Sequence, residues 1–219
     1  AMADRASGRF GDWRRAPADW SVYRPSQDDY QSPGDCRRYI ARALNILSRF
    51  ANIDAYEAEK AFARADAGTP TLLAIATHDF RDLAPEMAAL GDLLVDAQKK
   101  YPDVKFRFAE ARDAMRNVVH GTVYGPALRL EINPVIGADG RIKSVAITTA
   151  AGKVFGPQPF LAIQMASGQV IHDNLDFGLD GTSWNYVFDY ETVLPGDVQK
   201  IGVGAADVYG NTDVKTLTV

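Results

Sequence analysis

The sequence predicts an α/β segment followed by an all-β domain built as a β-sandwich, and three observations carry that prediction. From Thr71 to Val119, apolar runs and helical stripes alternate in the order strand, helix, strand, helix, the order of a parallel layer with right-handed crossovers. After Tyr124 the chain breaks into short runs of β-branched and aromatic residues separated by Gly, Pro, Asn and Asp. The change falls at Tyr124-Gly125-Pro126, which divides the chain into residues 1–123 and 124–219.

In the first half, residues 13–34 hold three prolines and several aromatics without a period. They read as an irregular segment pinned by Trp13, Trp20, Tyr23 and Tyr30. From Asp35, Ile40, Ala43, Leu44, Leu47 and Ala51 recur at helical spacing, predicting a helix with Asp35 as its N-cap. Asp54 and Glu57 have capping-box spacing for a second helix, with Ala58, Ala61, Phe62 and Ala65 as its stripe and Gly68 as its stop. "TLLAIAT" is a nearly continuous apolar run, expected of a strand covered on both faces. Met87, Leu90, Leu94 and Ala97 mark one face of a helix over 84–100, "VKFRF" alternates like a second strand, and "AEARDAMRNVV" turns helical. In such layers ligands gather at the C-terminal ends of the strands. His78 stands at one of them.

The second half offers seven strand-like runs: "ALRLEINPVI", "RIKSVAITTA", "FLAIQMA", "QVIHDNLDF", "SWNYVFDYETV", "KIGVGAADV" and "VKTLTV". Its close, "IGVGAADVYGNTDVKTLTV", resembles the final hairpin of bacterial immunoglobulin-like domains, in which a strand runs into an aspartate, an "xGN" turn and a last strand ending in "LTV". The resemblance implies an immunoglobulin-like β-sandwich and leaves function open.

Composition narrows the functions. The chain has 219 residues, 47% of them hydrophobic, enough for a real core. A net charge of -4 with interleaved signs lacks the basic field that a phosphate backbone requires, so nucleic acid is not an expected partner. No apolar stretch approaches the roughly 20 residues that span a bilayer, so no membrane is expected either. The single cysteine, Cys36, excludes an internal disulfide, a CxxC pair and a cysteine-rich zinc site. Cys36 precedes Arg37 and Arg38, but no histidine is near it in sequence to make it a nucleophile. The start "AMADRASGRF" lacks the apolar core of a signal peptide, and Ala1-Met2 reads as a cloning remnant on a piece of a longer protein.

Few groups able to do chemistry remain. His120 reads as a helix-end residue and His172 as part of a strand-to-turn segment. Asp173, Asp176 and Asp180 miss the EF-hand spacing and read as turn residues. His78 has Asp79, Arg81 and Asp82 close in sequence to orient an imidazole or shift its pKa. The plainer reading is that Asp79 or Asp82 caps the following helix and His78 fills a turn.

The stretch from Gly68 to Met115, "GTPTLLAIATHDFRDLAPEMAALGDLLVDAQKKYPDVKFRFAEARDAM", resembles the last strand-helix-strand-helix of the polysaccharide deacetylase family, related to nodulation-type chitooligosaccharide deacetylases. The resemblance implies the C-terminal part of a distorted (β/α) barrel and a carbohydrate N-deacetylase-like hydrolase. His78 would be the general acid that protonates the leaving amine, with Asp79 beside it. Asp19-Trp20 would match the family's pocket-lining Asp-Trp element, and Arg81 would join them in binding the sugar.

The family's metal motifs are not matched: Asp28-Asp29 lie in a Pro-rich loop, and no two histidines stand four apart. A zinc site needs three protein ligands and an open position. The chain is therefore expected to hold no metal and to be inactive alone, with Zn²⁺ or another divalent metal belonging to a longer parent. The expected partners are carbohydrate and either a second copy of the chain or a missing N-terminal region. The alternative is a non-catalytic module for carbohydrate binding or protein interaction, using the flat faces of Trp13, Trp20, Tyr23, Tyr30, Trp184 and Tyr186.

Overall fold

The computed structural model describes residues 13–46, 52–77, 82–122 and 124–219. It is a mixed fold of helices and, predominantly, strands, divided into two compact units, Ala1–Val123 and Tyr124–Val219. No described helix is long and apolar enough to cross a membrane.

In the first unit, β1 (Val22–Tyr23) pairs antiparallel with β2 (Ile40–Ala41), and β3 (Ala43–Asn45) pairs in parallel with β4 (Ala74–Ala76). The helix expected from Asp35 is not formed among the described residues; Leu47 and Ala51 lie outside them. The apolar positions of "YIARALN" fit two periods. The extended one prevails because it lays Leu44 opposite Ile75 and sends the Arg42 side chain to a buried partner.

Helix α1 (Ala55–Asp66) begins as expected, the Asp54 carboxylate accepting the Glu57 N–H at 2.9 Å. Glu57 does not complete a capping box, because its carboxylate turns to Arg42. Ala58, Ala61 and Phe62 form the buried face. Helix α2 (Ala84–Lys100) starts on Pro85, buries Leu90, Leu94 and Ala97, and places Lys99 and Lys100 where the helix dipole favours cations. Helix α3 (Ala111–His120) ends at Gly121, whose φ of 68° closes the last turn in the left-handed conformation glycine adopts freely. His120 is thus a helix-end residue. "VKFRF" is not a strand: among the described residues no strand pairing forms between Tyr101 and Glu110. β4, moreover, is half-buried rather than covered on both faces.

The second unit has eight strands in two four-stranded antiparallel sheets. The strands are β5 (Arg129–Ile136), β6 (Ile142–Ala151), β7 (Phe160–Met165), β8 (Val170–Asp173), β9 (Asp176–Phe177), β10 (Ser183–Val187), β11 (Val198–Ala206) and β12 (Thr212–Thr218). One sheet has the order β5-β6-β10-β9 and the other β12-β11-β7-β8. Alternate residues of both sheets, among them Val145, Ile147, Trp184, Leu161, Ile163, Ile201 and Val203, meet in a single core, the period-two pattern of sheets with one dry face.

"QVIHDNLDF" reads as one strand but serves both sheets. β8 pairs with β7, the chain crosses at Asn174-Leu175, and β9 pairs with β10. Gln158 pins that crossing, donating to Asn174 Oδ1 at 2.8 Å and accepting the Leu175 N–H at 3.0 Å. Two polar bonds also tie the sheets together: Asp213 on β12 accepts the Leu130 N–H of β5 at 2.7 Å, and the Tyr186 hydroxyl of β10 donates to Asp173 of β8 at 2.8 Å.

Candidate functional site

Parallel pairing aligns the C-terminal ends of β3 and β4, with Asn45 opposite Ala76. The Ile46 N–H donates to the Ala76 carbonyl at 3.3 Å, and the Ile53 N–H donates to the Asn45 carbonyl at 3.2 Å. Asn45 is buried and Thr77 is exposed, so polar groups gather where the apolar run of β4 gives out. His78, Asp79 and Arg81, which follow Thr77 directly in sequence, lie outside the described residues. Asp82 accepts the Ala84 N–H at 3.0 Å at the start of α2; Asp79, the other expected capping carboxylate, lies outside the described residues.

The structure separates Asp19 from Trp20. The Trp20 indole is 1% exposed and donates from Nε1 to the Glu57 carbonyl at 3.1 Å, and the Arg42 guanidinium lies 4.4 Å from its ring centroid. Its φ of 63° is unusual for a residue with a side chain, a cost of about 1–2 kcal/mol that the burial offsets. The indole is a core group with no face free for a sugar. Asp19, in contrast, is at the surface, accepting from Arg64 at 2.7 Å and from the Ser21 hydroxyl at 2.6 Å. Partial burial would raise its pKa, but the bonds from Ser21 and the Arg64 charge outweigh it and hold the carboxyl below its usual range.

Under Trp20 lies a charged group that the sequence reading missed. Arg42 and Glu57 form a bidentate pair, Nη1 to Oε2 at 2.6 Å and Nη2 to Oε1 at 3.0 Å, with both side chains at least 95% buried. Lys60 adds a contact to Glu57 Oε2 at 2.8 Å. Burial would raise the Glu57 pKa, but the hydrogen bonds and charges of Arg42 and Lys60 dominate and lower it. Both oxygens are engaged and the acid is ionised at neutral pH, so Glu57 is placed to fasten α1 to the β2–β3 segment and not to exchange protons with a ligand. The available signal was an arginine inside the apolar run 40–44.

Beside Arg42, a cavity of about 20 Å³ is lined by Trp13, Pro17, Tyr23 and Ile40. That is room for about one water, far below the several hundred Å³ of a small-molecule site. Among the described residues, no group of three or more His, Cys, Asp or Glu could hold a metal ion. Asp180 serves its turn, accepting the Thr182 N–H at 2.9 Å and the Ser183 hydroxyl at 2.8 Å, and these bonds bring its pKa to about 2. Of the six aromatics proposed as sugar platforms, Trp20, Tyr23, Trp184 and Tyr186 are buried. Trp13 is half-buried against Tyr30, their centroids 4.9 Å apart, and Tyr30 is exposed.

No known family model matches the chain, and no curated protein or solved structure shows significant similarity to it.

Proposed function

We propose that the chain is the His78-bearing, C-terminal portion of a carbohydrate N-deacetylase-like hydrolase, inactive alone, with an immunoglobulin-like accessory domain. The observation that carries this reading is the parallel pairing of β4 with β3: an apolar strand stops at Ala76, two residues before His78, and α2 follows from Ala84. A strand end of this kind is where α/β folds bind ligands. In this reading His78 donates a proton to the amine released as an acetamide is hydrolysed, a contribution of about 10²–10⁴-fold in rate, and Asp79 and Arg81 stand beside it in sequence. Asp19 remains a surface carboxylate with sugar-binding potential, whereas the role given to Trp20 reduces to packing. The described residues do not fit a metal, so Zn²⁺ or another divalent ion would be held by residues outside them.

The accessory-domain reading is supported by strand order. Lettered in sequence, the two sheets run A-B-E-D and G-F-C-C′, the pairing of immunoglobulin-type sandwiches. The test is hydrolysis of N-acetylglucosamine oligomers by this chain and by the longest translation product that contains it. Turnover by the longer form alone supports the reading, and none by either rejects it.

Carbohydrate binding without catalysis has one observation in its favour. On the β12-β11-β7-β8 sheet, Leu161, Ile163, Ile201 and Val203 face the core, so Phe160, Ala162, Gly202 and Gly204 face outward. There Phe160 is 61% exposed and stacks on His172 at 5.9 Å, a flat aromatic shelf beside the small residues Ala162, Gly202 and Gly204. Glycan binding that is lost in Phe160→Ala would favour this second reading.

A further inference from the structure

The segment "VKFRF" carries a strand's alternation but forms no strand pairing among the described residues. Val104, Phe106 and Phe108 fall on one side, and their exposure climbs from 8% to 41% to 64%. The inner end is seated: Val104 belongs to the first unit's core, and Phe106 meets the buried Phe62 edge-on at 5.6 Å. The outer end is open, with Phe108 meeting the Phe106 ring at 6.1 Å. The backbone of residues 105–109 has no hydrogen-bond partner among the described residues, and neither Lys105 nor Arg107 has an ion-pair partner there. Helix α3, which follows, buries only Arg116.

We infer that residues 105–109 form a docking edge for an extended strand supplied in trans, one that alternates carboxylate and apolar side chains. Unpaired N–H and C=O groups on an exposed edge are a template for strand addition. The cations Lys105 and Arg107 select carboxylates, and the exposed rings of Phe106 and Phe108 select apolar residues. A second copy of the same segment is disfavoured, because antiparallel self-pairing about Phe106 sets Lys105 opposite Arg107, and like charges directly opposite repel. The inference does not depend on the hydrolase reading.

The test uses the full chain and two short blocked peptides, one alternating glutamate with valine and the other lysine with valine. The glutamate peptide should bind about tenfold tighter than the lysine peptide. It should also slow amide hydrogen exchange at residues 105–109, a signature that side-chain contact alone does not give. The exposed double variant Lys105→Glu/Arg107→Glu should fold normally and reverse the preference. Equal affinity for the two peptides, binding without protection at 105–109, no binding of either, or self-association through this segment would each overturn the proposal.

Discussion

Removing the Arg42 side chain probes the buried ion pair that joins α1 to the β2–β3 segment. In Arg42→Ala, Glu57 stays buried and loses both guanidinium bonds, keeping only Lys60 at 2.8 Å. Breaking a buried ion pair from one side costs about 3–5 kcal/mol. The remaining lysine, whose side chain is 23% exposed, sets the lower end of that range. Loss of the cation above the Trp20 ring adds about 0.5–1 kcal/mol, giving about 3–4 kcal/mol in total. Because Glu57 lies in the first turn of α1, the loss should appear as faster amide exchange across α1, with the strands of the second unit unchanged. The double variant Arg42→Met/Glu57→Leu leaves no stranded charge and should recover most of the loss, to within about 1 kcal/mol of the parent. If Arg42→Ala loses less than about 1 kcal/mol, or the double variant is no better than the single, the pair does not fasten α1 as described.

Three further outcomes follow from the same geometry. The Glu57 pKa is lower folded than its ordinary 4.5, so its stabilisation is complete above that value and is lost as pH falls through the folded pKa; acid unfolding of α1 should be shallower in Glu57→Gln, measured by exchange against pH. Burial, with the Asp173 hydrogen bond and charge, pushes Tyr186 up to about 12; stability from this group is intact below pH 10 and declines toward about 12, and Tyr186→Phe should flatten that decline in alkaline denaturation. Asp207, 7% exposed, accepts from the Tyr209 and Asn211 backbones and from Asn211 Nδ2; Asp207→Ala should cost the second unit about 1–3 kcal/mol in urea unfolding, and a loss below about 0.5 kcal/mol would remove the turn from the list of its supports.

The second unit was largely legible in the sequence because turns and alternation specify it locally. The "DVYGN" turn is held by the aspartate the sequence singles out, with Gly210 at a φ of 71°. The departure there, the split of "QVIHDNLDF", depends on Gln158, a residue 16 positions upstream of Asn174 that no local pattern connects to the crossing. In the first unit α1 was legible through Asp54, whereas "YIARALN" was not. Its apolar spacing fits a helix or a strand, and the deciding partners, Ile75 and Glu57, are remote in sequence. "VKFRF" has a strand's pattern but no strand beside it among the described residues, so its period alone predicted too much. As for the site, Asp19 and Trp20 are neighbours in sequence, yet one indole enters the core while the adjacent carboxylate meets solvent, a divergence that follows from the backbone turn at Trp20.

The proposed chemistry rests on one imidazole, and the most direct measurement is the deacetylation rate of His78→Ala in the longest product containing this chain, taken together with its unfolding curve. A fall of about 10²-fold or more with unchanged stability is the expected result. A parental rate in that variant would contradict the assignment of His78 as the proton donor.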